Sequence, residues 1–263
     1  MEEAQFQFRN AILSYQKAGS GSEALLQFHG FGQDRTAFDS LLSSLGTRYT
    51  IYSFDLFFHG NSEWGHGEHP LEKAFVAEMM NAFLESLSID RFSVMGFSLG
   101  GKVAFTMAET MTNRINTLYL MAPDGISTQF WYSLATYPLV FRKYFRGMIT
   151  HPGYFSSVVK LASKLRLVDR GVLRFANSQM NTEEKRRRVY LTWVVYRHLK
   201  FDLPQLARKI AEQQAKLVMI VGRFDKIITA TNVKGFVAQI PSGSLHIVDA
   251  GHNDLIAKSG SVL

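Results

Sequence analysis

The chain reads as an α/β protein: a mostly parallel sheet with helices on both faces, interrupted by one helical insertion. Three observations predict this. Up to Met121, near-continuous apolar runs of strand length alternate with amphipathic stretches, as parallel strands buried on both faces require. The alternation stops near Ala122-Pro123-Asp124-Gly125, and a long stretch of helical, aromatic and basic character follows without a clear strand. Two further apolar runs, Ala215 to Val221 and Ser244 to Val248, then resume the sheet.

In chain order, Phe6-Gln7-Phe8 and Ile12 to Tyr15 suit an opening hairpin. Ala24 to Phe28 is a compact apolar run ending at His29-Gly30, and Tyr49 to Phe54 is a second, ending at Asp55. Phe92 to Met95 is the third and Thr117 to Met121 the fourth. The amphipathic stretches Ala37–Leu45, Leu71–Leu87 and Lys102–Met111 lie between them and suit covering helices. The expected division is a core of residues 1–124 and 210–263, with an insertion of residues 125–209. Every turn with distinctive chemistry falls at the C-terminal end of a strand, where open α/β sheets place their ligand sites.

Composition bounds the function. A chain of 263 residues buries about three quarters of its unfolded surface. The apolar fraction of 46% and charged fraction of 19% are those of a globular protein. The absence of cysteine excludes disulfides, cysteine nucleophiles and thiolate–metal sites. Met1-Glu2-Glu3-Ala4-Gln5 is acidic and polar, unlike a signal peptide. No uninterrupted apolar run reaches the length of a membrane span, so the expected location is cytoplasmic. The net charge of +7 is unevenly placed: 16 of the 29 Lys+Arg but only four of the 22 Asp+Glu lie between Gly125 and Lys209, giving that segment +12 and the rest −5. Such asymmetry suits an anionic substrate, an acidic partner or a membrane surface; a solvated helix face is the simpler account.

The chemistry centres on Gly96-Phe97-Ser98-Leu99-Gly100-Gly101, a G-x-S-x-G pattern between a strand-like run and a helix-compatible one. A serine on such a strand-to-helix turn is strained and exposed, ready to act as a nucleophile. The following helix directs its first N–H groups towards the place where an oxyanion would form. A nucleophilic serine needs a base. Of eight histidines, His252 has the right place, in a glycine-bearing loop after the final strand. An acid should lie between the two at a strand end. Asp225, just after the run ending at Val221, fits best; Asp124 is its rival. Two backbone N–H groups should form an oxyanion hole, one from Leu99 and one from Phe31 in His29-Gly30-Phe31-Gly32.

With these residues in place, the chain resembles the α/β-hydrolase superfamily along nearly its whole length. His29 to Gly32 is similar to that family's HG-x-G oxyanion loop, and Gly96 to Gly101 to its nucleophile elbow. Asp55-Leu56-Phe57-Phe58-His59-Gly60-Asn61-Ser62 resembles its D-x-x-G-H-G-x-S turn, Gly222 to Asp225 its acid loop, and Gly251-His252 its histidine loop. The resemblance implies an eight-stranded, mostly parallel sheet, with the 125–209 insertion as a mobile helical cap. There are two departures. Phe58 stands where the family usually has glycine, and only eleven residues follow His252, which suggests a less buttressed histidine loop.

Ser98 implies acyl-enzyme chemistry, and neither histidine nor carboxylate spacing supports a metal; no cofactor is expected. The segment Phe130 to Phe145 is dense in aromatic residues, which suits an apolar pocket wall. Phe97, Phe130 and Trp131 are the candidate pocket residues. The expected activity is hydrolysis of a small or medium apolar ester. The same triad also serves C–C hydrolases, lyases and hydrolase-like signalling proteins, and fold alone does not choose among them. Lys185-Arg186-Arg187-Arg188 reads as an exposed helix start, and no nucleic-acid-binding signature accompanies it. A membrane surface is a lesser candidate partner, because no clean amphipathic pattern is evident in the segment.

Overall fold

The computed structural model describes residues 1–126, 130–164 and 176–263. Its strands are β1 (Glu2–Phe8), β2 (Ala11–Ala18), β3 (Glu23–Phe28), β4 (Tyr49–Phe54), β5 (Glu63–Trp64), β6 (Phe92–Phe97), β7 (Ile115–Met121), β8 (Lys216–Gly222) and β9 (Gly243–Val248). They form a nine-stranded sheet in the order β1-β2-β4-β3-β6-β7-β8-β9, with β5 paired to β2. β1 and β2 form the expected hairpin, with Phe6 opposite Leu13. β2 is antiparallel to β4, and every pair from β4 onwards along that order is parallel. The ninth strand, beyond the eight expected, is the two-residue β5, too short to leave a hydrophobic period in sequence.

Helices around the sheet follow from their apolar spacing. In α2 (Lys73–Ser86), Val76, Met79, Met80, Phe83 and Leu84 are buried, an i, i+3, i+4, i+7, i+8 stripe. Phe83 meets the rings of Phe6, Tyr15, Tyr52 and Phe54 edge-on at 5.0–5.6 Å. Residues Ala37–Leu45, expected as a helix, instead form a 3-10 turn, Arg35–Leu41, and a single α-turn, α1 (Leu42–Leu45). Asp34 caps the first by accepting from Thr36 N.

The chain divides into two compact units. The first comprises Met1–Gly67, Leu71–Ser127 and Leu199–Leu263; the second comprises Glu68–Pro70 and Thr128–His198. By this division the second unit ends at His198, and residues 199–209 lie with the first. The reason is α8 (Leu203–Glu212), which buries Leu206, Ala207 and Ile210. It packs against α3 (Gly100–Thr110) and α9 (Ala230–Val237) of the sheet unit.

The second unit contains α4 (Phe130–Thr136), α5 (Leu139–Gly147), α6 (Pro152–Lys164) and α7 (Glu183–Val195). Phe145 of α5 is buried against Tyr190 and Trp193 of α7, at 5.3 and 5.5 Å between ring centres. Glu68 joins this unit by accepting from Tyr190 Oη at 2.9 Å and pairing with Arg146 at 3.4 Å. The run Lys185–Arg188 is not uniformly exposed as expected. Arg186 is buried and donates to the carbonyls of Ile149 and Met180 at 2.8 and 3.2 Å. A helix turns once per 3.6 residues, so four consecutive residues cannot all face solvent on a packed helix.

Among the described residues, no helix is long and apolar enough to cross a membrane.

Candidate active site

The turn from β6 into α3 sets the site. Ser98 sits at φ +48°, a left-handed conformation that costs a non-glycine residue about 1–2 kcal/mol. The turn is locked from both sides: Ser98 N donates to Met121 O at 3.0 Å, and Ser98 O accepts from Gly101 N and Asp124 N at 2.8 Å each. Gly100 has no room for a side chain, because a Cβ there would lie 1.9 Å from the Phe28 carbonyl oxygen. The close approach of β3 to the start of α3 thus depends on that glycine.

His252 Nε2 lies 3.0 Å from Ser98 Oγ, and His252 Nδ1 lies 2.6 Å from Asp225 Oδ2. The carboxylate can only accept, so Nδ1 carries the hydrogen and Nε2 is left to accept from the serine hydroxyl. The Asp225 side chain is fully buried. Its other oxygen, Oδ1, accepts from Ile227 N at 2.7 Å and Ile228 N at 3.0 Å, so both oxygens are committed. Asp124, the rival acid, turns elsewhere: its carboxylate is 3.7 Å from Lys102 Nζ.

The acid and histidine loops are sewn together. Arg223 N donates to Val248 O at 2.8 Å, Phe224 N to Ala250 O at 3.0 Å, and Arg223 Nε to Asp249 at 2.5 Å. The histidine loop is also braced from beyond its own end. Asp254 Oδ1 accepts from Gly251 N at 2.7 Å, and its Oδ2 pairs with Lys258 Nζ at 2.6 Å. Leu255, Ile256 and Ser259 are buried there. The short segment after His252 therefore buttresses the loop, contrary to the expectation of a weaker support. Asp254 carried no sequence signal beyond its place two residues after the histidine.

The loop after β3 holds one peptide in a defined direction. His29 is wholly buried, and burial pushes its imidazole down to about 4. Its Nε2 accepts from Leu56 N at 3.0 Å, so Nδ1 carries the hydrogen and donates to Gly30 O at 2.7 Å. Gln33 N also donates to that carbonyl at 3.3 Å. A trans peptide points its N–H opposite its C=O, so anchoring Gly30 O directs the Phe31 N–H the other way. Neither the Phe31 nor the Leu99 N–H has an acceptor among the described residues. His29 and Gln33 were missed as site residues in the sequence; a histidine directly before the loop glycine was the available signal.

Phe97 is buried at the end of β6, with its ring centre 5.0 Å from that of His252. A Cβ on Gly30 would stand 2.8 Å from the same ring, so Phe97 packs between the loop after β3 and the imidazole. Phe130 and Trp131 begin α4, and their side chains lie outside the described residues. In the Asp55 turn, Phe58 itself takes a left-handed conformation, at φ +69°. The buried Asp55 carboxylate accepts from Arg35 N, Arg35 NH1 and Asn61 N at 2.7–2.9 Å. A Cβ on Gly60 would fall 2.0 Å from that carboxylate.

A family model described as alpha/beta hydrolase fold matches residues 23–259. An uncharacterized protein of Mycobacterium tuberculosis is 32% identical over 114 residues, 43% of this chain and 33% of that protein. The pimeloyl-(acyl-carrier protein) methyl ester esterase of Salmonella newport is 32% identical over 108 residues, 41% of this chain and 40% of the esterase. The matched segments thus span well under two thirds of those relatives' own length. Among solved structures, the enol-lactonase from Burkholderia xenovorans LB400 superposes with a TM-score of 0.70 at 16% identity, covering 98% of this chain and 96% of that one. That likeness is one of fold.

Proposed function

The chain belongs to the α/β hydrolase fold family, and from that premise we propose that it is a serine hydrolase of carboxylic esters. One observation carries the reading: an unbroken hydrogen-bonded chain from Ser98 Oγ through His252 to Asp225, together with two backbone N–H groups, of Phe31 and Leu99, that have no acceptor among the described residues. The first supplies an activated nucleophile and the second a place for an oxyanion.

In the proposed reaction, Ser98 Oγ attacks the ester carbonyl while its proton passes to His252 Nε2. The carbonyl oxygen takes the negative charge and accepts from the Phe31 and Leu99 N–H groups. Asp225 holds the imidazole and stabilises the imidazolium. The intermediate collapses, the C–O bond to the alcohol breaks, and the Nε2 proton leaves with the alcohol. Water then gives a proton to Nε2 and attacks the acyl-enzyme. Collapse of the second intermediate returns that proton to Ser98 and releases the acid. The residues complete this cycle without a cofactor.

The names of two similar proteins, a methyl ester esterase and an enol-lactonase, denote cleavage of an acyl–oxygen bond and support the same bond type here. The aromatic density of residues 130–145 supports a small or medium apolar ester as substrate. The test is a chain-length series of p-nitrophenyl esters, with Ser98→Ala as control. At least one ester should turn over orders of magnitude faster than the control. If every ester turns over no faster than the Ser98→Ala protein, the esterase reading is wrong.

A further inference from the structure

We infer that α5 and α6 form a surface that binds anionic lipid bilayers. Large apolar side chains are normally scattered on a surface, and a contiguous group signals a partner. Among the described residues, ten such side chains are exposed, and six of them lie between Leu139 and Val158. Leu139, Val140, Phe141 and Tyr144 are on α5, and Tyr154 and Val158 are on α6. Val140 is 75% exposed and Leu139 63%.

The two helices present these groups together. The Tyr144 and Tyr154 rings stack with centres 4.9 Å apart and planes within 10°. Tyr144 Oη also donates to the Tyr154 carbonyl at 3.4 Å. On α5 the pairs Leu139–Lys143 and Val140–Tyr144 are each four residues apart, so they share one arc of the helix. Phe145 on the opposite arc is buried, and Phe141, four residues before it, stands between the two arcs and is half-exposed. α5 is amphipathic as a single helix, although the segment as a whole shows no such pattern.

Charge selects the partner. Residues 130–164 contain Arg142, Lys143, Arg146, Lys160 and Lys164 and no Asp or Glu. Arg146 pairs with Glu68; the other four have no ion-pair partner among the described residues. Apolar side chains beside uncompensated cations on short helices match the boundary between acyl chains and anionic headgroups. The same charge opposes face-to-face pairing with a second copy. The inference is independent of the Ser98 chemistry.

The test is flotation of the full chain with vesicles of phosphatidylserine and phosphatidylcholine, and with vesicles of phosphatidylcholine alone. Binding is expected to the first and not the second, and should weaken with added salt. Loss of each cation weakens binding about fivefold, so Arg142→Gln/Lys143→Gln should lose about 25-fold. Val140→Ser/Phe141→Ser should also release the protein while its circular dichroism stays unchanged. If the apolar double variant misfolds, the charge variant still decides the matter. Absence of binding at low salt, or binding that both folded variants retain, overturns the inference. So does a size-exclusion shift from dimer to monomer in Val140→Ser/Phe141→Ser without vesicle binding by the parent, which would make the patch a self-association surface.

Discussion

Acid should destabilise this protein through His29 before it reaches most carboxylates. The imidazole is wholly buried, and burial pushes it from 6.5 down to about 4; the hydrogen bond to Gly30 O only partly opposes that shift. Above the unfolded value both states are neutral and the residue contributes no pH dependence. Between the two values the unfolded chain takes up a proton that the folded protein refuses, so stability falls as the pH falls. Below the folded value both states are protonated and the loss levels off. The full window corresponds to about 3 kcal/mol, a large share of the ~5–15 kcal/mol that holds a typical domain together. Urea unfolding of wild type and His29→Asn across this window measures it. The variant should be less stable near neutrality, because Gly30 O and Leu56 N lose their partner, yet its stability should depend on pH less steeply by nearly one proton. Equal slopes would refute the argument, as would an NMR titration of His29 with an ordinary midpoint.

Two further outcomes follow from the same geometry. Asp225→Asn cannot hold His252 in the same tautomer, so kcat should fall by about 10⁴-fold while binding of an uncleaved ester analogue is unchanged; stopped-flow and equilibrium titration separate the two. Asp254→Ala removes the acceptor for Gly251 N, and the resulting drift of the His252 loop should lower kcat by about 10- to 100-fold with little change in Tm, because Asp254 and Lys258 are about half exposed. A variant that loses Tm and keeps kcat would place Asp254 in stability alone.

Much of the sheet was legible because its central strands are buried on both faces. β3, β6 and β7 are almost entirely buried, and such strands appear in sequence as near-continuous apolar runs. The hydrogen-bonded serine, histidine and aspartate were legible for a different reason, since each sits in a short loop at a strand end, in the chain order that the α/β-hydrolase resemblance implies. Periodicity could not assign α8 to a unit. Leu206, Ala207 and Ile210 announce a buried face, but not which core receives it. Nor could it reveal the bracing groups. His29, Gln33 and Asp254 act through hydrogen bonds to backbone atoms, most of them within their own loop, and their residue types occur as readily in ordinary turns. The basic run Lys185–Arg188 reads as exposed in sequence, yet Arg186 faces a packed interior.

The central claim is that Ser98 is a nucleophile activated by His252. Intact-protein mass spectrometry after exposure to a fluorophosphonate tests it most directly. Wild type should gain one adduct, mapped by peptide sequencing to Ser98. Ser98→Ala should gain none, and His252→Ala should react far more slowly. A folded wild-type protein that gains no adduct, or one that is modified equally fast without His252, would contradict the account.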